Sequence, residues 1–395
     1  MLLVPVLGGD AVAGGSAGTL DRTFGDHGVV VSIAGFQPGT DGGVVVQDGG
    51  RIVIAGTDFS VAGLLPSGAP DSRFGRNAVA HADLTGWRSR GATDVALGPG
   101  GAIVVGGKIC RTDGCSRERY ALVRYTASGH RDPTFGDDGA EVFACSPRPF
   151  CSNDPGIAVQ RDGKVVLSVW SGGFLIERRN ANGTLDRSFG NDGLVTHREG
   201  ECCPIEASSA VQDADGRIVA AGADEVLRLL PDGRADPTFG RSGTAKLPRG
   251  LLGAPAVAIG PLGGIVVVGT TADLPGPWAV IRFTPTGHID RTFGGTGLTE
   301  VHLSCQDTPM DVAIEPDGRI VVVGETFNCA EFGKERAAIV RLTARGRLDP
   351  SFSGNGKVLW PGYSLATGVA LDEVGSGERV VVSGVGHFTV ARYLA

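Results

Sequence analysis

The chain has 395 residues, of which 42% are apolar and 20% charged, a make-up that fits a folded globular protein and excludes a disordered one. Its net charge of −7 argues against nucleic acid or an anionic membrane as the main partner. No apolar run approaches the ~18 residues of a membrane-spanning helix, while 64 glycines, about twice the usual share, imply many tight turns.

The amino terminus, "MLLVPVLGGDAVAGG", sets a short apolar run before Ala11-Val12-Ala13, which has the small-x-small form of a signal-peptidase site. A basic n-region is missing and the run is shorter than the usual ~7–15 residues. Residues 1–19 therefore read as a truncated secretory leader or as a flexible tail, and 20–395 as the folded body.

From Asp21 onward one phrase recurs: "DRTFGDHG", then "DSRFGRNA" at Asp71, "DPTFGDDG" at Asp132, "DRSFGNDG" at Asp186 and "DPTFGRSG" at Asp236. "DRTFGGTG" at Asp290 and "DPSFSGNG" at Asp349 complete the set. The spacings are 50, 61, 54, 50, 54 and 59 residues, which suits one four-stranded propeller blade per repeat. Repeats start near 18, 68, 129, 183, 233, 287 and 346.

Each unit carries four short β-type runs, such as "LTEVHLS", "MDVAIE", "RIVVVG" and "AAIVRL" in the sixth. The third run is apolar and β-branched, as a strand buried on both faces should be. It follows a turn of the "PDGR" type (Pro316 to Arg319), whose glycine supplies the positive φ of a tight hairpin. The last run places an arginine before the next Asp-x-x-Phe-Gly phrase: Arg124, Arg178, Arg228, Arg282, Arg341 and Arg392, with Gly63 as the exception.

The seven phenylalanines Phe24, Phe74, Phe135, Phe189, Phe239, Phe293 and Phe352 read as wedges between blades. Each preceding Asp accepts N–H groups of its own turn. Calcium loops are the rival reading, but "FGRSG" and "FGGTG" offer too few oxygens for an ion that takes six to eight. The carboxyl-terminal "HFTVARYLA" ends in the Arg strand, and "GTLDRTFGDHGVVVSIAG" near the front supplies the phrase and strand it lacks. Front and back together complete one blade. The expected fold is all-β, a single seven-bladed propeller closed by pairing the N-terminal strand with the last three, which abolishes exposed sheet edges.

These residues resemble the delta-60 repeat family of bacterial proteins, whose pattern is shown well by "GTLDRSFGNDG" and "DGRIVAAG" of the fourth unit. Ser353, Ala78 and Gly63 depart from that pattern. The resemblance covers nearly the whole chain, implies a propeller-like fold and an exported or surface setting, and carries no catalytic motif.

Antiparallel alternation sorts the connections by face. The Asp-Gly and Asp-x-x-Phe-Gly turns share one face, and the connections of variable length share the other. All eight cysteines and four tryptophans lie in or beside the variable connections. Trp87, Trp170, Trp278, Trp360 and Tyr363 are candidate ligand-face residues, since aromatic side chains anchor binding surfaces; the alternative is that each Trp plugs its own loop. Local spacing suggests the disulfides Cys110–Cys115, Cys145–Cys151 and Cys305–Cys329, with Cys202 and Cys203 unassigned, and hence an oxidising compartment. Zinc competes, although "HREGECC" and "HLSC" match no usual spacing.

The chain lacks the nucleophile elbow, phosphate loop and His-Glu-x-x-His helix of common enzymes. His130 and His288 occupy one slot of the repeated turn and are expected to be solvated. His197 and His302, near Glu199, Glu201 and Asp307, belong to the variable face. In some propellers with similar blades, such as antibiotic lyases and lactonases, His and acidic residues occupy the channel mouth. By that analogy the Val-Ala-rich strand lines the channel, and Asp94 and Asp311 begin two copies of it.

Asp94, Asp311, His197 and His302 are therefore weak candidate metal ligands, although no cofactor is expected. The leading expectation is an exported, monomeric propeller that binds a protein, peptide or glycan on its variable face. The alternatives are a metal-assisted hydrolase or lyase at the channel mouth, holding a divalent ion, and a structural cell-surface spacer.

Overall fold

The computed structural model describes residues 16–39, 42–111, 114–144, 154–170, 173–197, 209–222, 224–248, 251–271, 276–304, 306–327, 335–360, 364–372 and 377–395. The terminal run at 1–15, Glu199, Glu201, Tyr363, Cys145, Cys151, Cys202, Cys203, Cys305 and Cys329 lie outside the described residues, as do the side chains of Cys115 and Trp170.

Seven four-stranded antiparallel sheets make the ring. Blades I to VI run in chain order, and each is a simple meander from the channel outward. In blade VI, for example, Gln306–Ile314 is innermost, followed by Ile320–Phe327, Glu335–Leu342 and Lys357–Leu359. Each sequence repeat contributes its first strand to the outer edge of one blade and its other three to the next. Repeat and blade are thus out of step by one strand, and the seventh blade must borrow. Its sheet is Ser364–Asp372, Arg379–Gly386 and Val390–Leu394, with Val29–Val30 as the outer strand.

The borrowed strand is held by more than its two paired residues, Val29 opposite Ala391 and Val30 opposite Val390. Gly18 N–H donates to Leu394 O at 2.8 Å, Asp21 N–H to Arg392 O at 2.8 Å and Arg392 N–H to Gly28 O at 3.0 Å. The innermost strands contact their neighbours all the way round, including Val44–Val46 of blade I against Ser364–Asp372 of blade VII. No sheet edge is left open at the seam.

Apolar clusters fill each gap between blades rather than one central core. All seven repeated phenylalanines are fully buried. Each abuts the turn of the following blade: Phe74 packs on Gly129, where an added Cβ would lie 2.6 Å from the ring. The wedges are therefore real, and each would contribute roughly 1.5–3 kcal/mol by burial.

Candidate functional site

The repeated phrase folds into one constellation on the uniform face. Each Asp receives the N–H of the residue two positions on, at 2.9–3.1 Å. In six copies its other oxygen takes the guanidinium Nε of the Arg strand, as in Arg228 to Asp236 at 2.8 Å and Arg178 to Asp186 at 2.8 Å. The guanidinium lies over the wedge phenylalanine, 4.4–4.8 Å from the ring centroid in six blades. Its Nη1 then crosses to a carbonyl of the next blade, as Arg124 does to Ala181 and Arg228 to Pro285. The first three interactions brace the turn of one blade, and the fourth ties it to the next. The carboxylates expected to serve the scaffold are spent on it.

Burial alone would raise the Asp186 carboxyl, but the Ser188 hydroxyl and N–H, with the charges of Arg178 and Lys164, outweigh it and hold the group at about 2. The two turn types also share a face, because Arg51 and Lys164 of the first turn reach Asp71 and Asp186 of the second. His130 and His288 are exposed in their common slot, each touching a hydroxyl, of Ser128 and Thr286, at 3.1 Å.

Equivalent positions on the innermost strands, four residues before the first turn, carry Asp94, Asp311 and Ser209. Asp94 accepts its own strand's Val95 N–H at 2.7 Å and, from blade III, Ile157 N–H at 2.8 Å. Asp311 repeats the arrangement with Val312 and, from blade VII, Val369, both at 2.8 Å. Ser209 does the same more weakly, taking Val257 N–H of blade V at 3.3 Å. Beside Asp94, the Thr93 hydroxyl donates to Pro155 O at 3.1 Å. Burial, and secondarily the charge of Asp311, push Asp94 up to about 7; burial pushes Asp311 to about 6. Both carboxylates act as stitches between inner strands.

The histidines expected beside them are elsewhere. His197 lies on the outermost strand of blade III, where its Nε2 is 2.7 Å from Glu225 Oε1, and Lys246 Nζ is 2.8 Å from the other oxygen. His302 is exposed just beyond the outer strand Leu298–Val301 of blade V. Asp307 is buried and accepts the Leu303 and Ser304 N–H groups, closing its own loop. Inner and outer strands separate the four candidate ligands, so the fold does not bring them into one site. Among the described residues, no group of three or more His, Cys, Asp or Glu side chains is placed to hold a metal ion.

On the variable face, the tryptophans divide. Trp278 is fully buried in the cluster between blades V and VI, which corrects its expected role in ligand contact: it is a core plug. Trp360 is half-buried against Phe388, with ring centroids 5.0 Å apart. Trp87 is half-buried at the far end of the longest inner strand, Trp87–Leu97, opposite Arg111. The Arg111 and Arg119 guanidinium groups lie 5.3 and 5.9 Å from its ring. Seven residues separate Trp87 from Asp94, so blade II rises about 20 Å above the level of the channel carboxylates. Its strands Ile103–Arg111 and Gly114–Tyr125 rise with it. Both arginines were missed by sequence reasoning; the 61-residue spacing from Asp71 to Asp132, the longest of the set, is the signal that could have pointed to this blade.

A family model described as a domain of unknown function (DUF5122) β-propeller matches residues 214–239 and 315–352, in agreement with the observed fold. No curated protein matches the sequence. Among solved structures, the Cps50 (Swd1) β-propeller domain of Myceliophteria thermophila is 10% identical over 93% of this chain and 99% of that one, with a TM-score of 0.50. BamB from Moraxella catarrhalis is 14% identical over 91% and 86%, with a TM-score of 0.49. The PQQ-bound aldose sugar dehydrogenase of Streptomyces coelicolor is 11% identical over 93% and 96%, with a TM-score of 0.47. Likeness at this level speaks to fold alone.

Proposed function

We propose that this propeller is an exported, monomeric binding protein of the delta-60 repeat type, with residues 20–395 as its working domain. Its partner docks on the variable face at the blade II ridge. The observation that carries this reading is the half-buried Trp87 flanked by Arg111 and Arg119 at the end of the long blade II strands. Tryptophan and arginine are the residue types that dominate binding hot spots, and together they suit an anionic segment. The partner is therefore an acidic stretch of a protein or peptide, ahead of a glycan.

The export part of the reading is supported by the cysteine couples. Cys110 and Cys115 stand on the two strands of the blade II hairpin, whose end is closed by Arg111 opposite Gly114. Mapping of unreduced peptides should recover those two residues linked; a free Cys115 thiol in protein isolated from its native setting would remove that support.

Binding is tested by presenting acidic, neutral and basic peptide arrays to the intact chain and to Trp87→Ala and Arg111→Ala. The intact chain should retain acidic peptides, and each variant should lose at least about tenfold in affinity, the equivalent of roughly 1.4 kcal/mol. Retention unchanged in both variants would overturn the assignment of the site.

A further inference from the structure

The seven copies of the uniform face can be compared with one another, and two of them are incomplete. In each blade a turn joins the first and second strands. Its opening residue is Gln47, Gln160, Asp213, Glu315 or Asp372 in five blades, and its closing residue is Arg51, Lys164, Arg217, Arg319 or Arg379. The opening side chain meets an arginine Nη1 in four of them: Gln47 with Arg51 at 3.2 Å, Gln160 with Arg178 at 3.4 Å, Glu315 with Arg341 at 3.4 Å and Asp372 with Arg392 at 3.2 Å. The closing base pairs with the turn aspartate, as Arg319 does with Asp349 at 3.3 Å and Arg379 with Asp21 at 3.1 Å. Acid or amide meets arginine, and base meets aspartate.

Blades II and V lack both halves. Gly98 and Ala102 stand in one, Gly260 and Gly264 in the other, and the same backbone hydrogen bond still closes each turn. A cavity opens at each place: about 250 Å³ beside Arg124 and Asp132, and about 490 Å³ beside Arg282 and Asp290. The Arg282 and Asp290 side chains are 18% and 20% exposed, against 4% and 2% for Arg228 and Asp236. The larger cavity is walled by Pro261, Leu262, Val266, Pro285, Ile314 and Pro316. Leu262 is 91% exposed at its rim, the most exposed large apolar side chain among the described residues.

Neither glycine is required by the backbone. Gly260 and Gly264 lie outside the left-handed region, and a Cβ on either would meet nothing closer than 3.6 and 3.5 Å. The space is open because side chains that would fit there are missing.

We infer that the blade V cavity is a binding site for a small zwitterion with an apolar body, of which an α-amino acid such as leucine or phenylalanine is the simplest case. The ligand's carboxylate takes the place of Glu315 or Asp372 and accepts from Arg282 Nη1. Its ammonium takes the place of the closing base and donates to Asp290. Its side chain lies against Leu262, Ile314 and the prolines. Arginine has five N–H donors, and the three bonds Arg282 makes, to Asp290, Thr292 and Ala344, leave room for this acceptor. The site is on the face opposite the Trp87 ridge and stands independently of it.

The test is calorimetric titration of the intact chain with L-leucine and L-phenylalanine, alongside N-acetyl-L-leucine and L-leucinamide, each lacking one charge. Saturable binding is expected with a Kd of about 1 mM or tighter, and each blocked compound should bind at least about tenfold more weakly, one charge-assisted hydrogen bond being worth roughly that factor. Gly260→Gln combined with Gly264→Lys restores the pair found in blade III and should abolish binding. Leu262→Ser, at an exposed position that cannot disturb folding, should weaken it severalfold. Absence of saturable binding by the intact chain overturns the inference, as does undiminished binding by Leu262→Ser or by the filled variant. Equal binding of N-acetyl-L-leucine would show that no ammonium is read, and would overturn it too.

Discussion

Arg51 Nε donates to Asp71 at 2.9 Å in blade I, where Gly63 holds the place of the arginine that serves the other six blades. The substitute comes from the neighbouring strand and reaches the same carboxylate oxygen. Its guanidinium lies farther from the wedge ring, 6.0 Å from Phe74. Arg51→Ala should therefore destabilise by about 2 kcal/mol, because Asp71 then keeps no close buried guanidinium. Lys164→Ala should lose less than about 1 kcal/mol, since Arg178 still serves Asp186. Equal losses in urea denaturation would show that Arg51 is not the substitute.

The wedge itself is testable where it is regular. Phe189→Ala should lose about 3–5 kcal/mol, and a loss under about 1 kcal/mol would mean that the ring is not tightly packed. In blade I the same ring has moved against the strand: a Cβ on Gly63 would sit 2.4 Å from Phe74. Gly63→Ala should thus lose about 1–3 kcal/mol by overpacking, measured the same way.

One copy of the phrase breaks its own rule. The position after Phe has φ of 50–58° in six copies, all glycine, and Ser353 adopts 52° with a side chain attached. A non-glycine residue in that region is disfavoured by roughly 1–2 kcal/mol. Allowing for the greater freedom glycine gives the unfolded chain, Ser353→Gly should raise stability by about 0.5–1 kcal/mol. A lower unfolding midpoint for the variant would show that Ser353 makes a compensating contact.

Acid and alkali should act through different carboxylates. Asp94 and Asp311 titrate near 7 and 6 in the folded ring, above the 3.8 of the unfolded chain. Between those values the folded chain binds more protons, so their stability contribution is complete below about pH 4 and disappears as pH rises through 6 and 7. Asp186, held at about 2, contributes stability present above pH 4 and lost as pH falls toward 2. Melting midpoints should peak near pH 4, and Asp94→Asn with Asp311→Asn should shrink the decline from pH 4 to 7. An unchanged decline in the double variant would place its origin elsewhere.

Ring closure predicts the fate of a truncated chain. Removing residues 20–34 takes away Asp21, Phe24 and the strand Val29–Val30, leaving Val390–Leu394 with a bare edge. Gel filtration should then show aggregates or swapped dimers. A soluble monomer with native circular dichroism would mean that six and three-quarter blades suffice.

The architecture was legible because its signals are chemical necessities repeated in order: a wedge, a turn aspartate, a glycine at positive φ and an arginine before each. The seam was legible too, since a strand missing at one end was present at the other. Placement of single side chains was not. Trp87 and Trp278 both begin strands beside variable connections, yet one is half-buried under arginines and the other lies inside, because facing depends on pairing register. The arginines over Trp87 are 24 and 32 residues away in sequence, and no local pattern announces them. The cavity at Gly260 was visible only once the copies could be overlaid in space.

Asp21 and Arg392, which meet at the seam, are 371 residues apart. During synthesis the strand carrying Asp21 leaves the ribosome 371 residues ahead of the partner it needs. Throughout that interval it is an orphan β-segment, vulnerable to pairing with a neighbouring nascent chain on the same polysome. The seam that makes the finished ring robust thus makes its birth the most hazardous moment, and gives a cell making this protein reason to shield the emerging first strand with a chaperone.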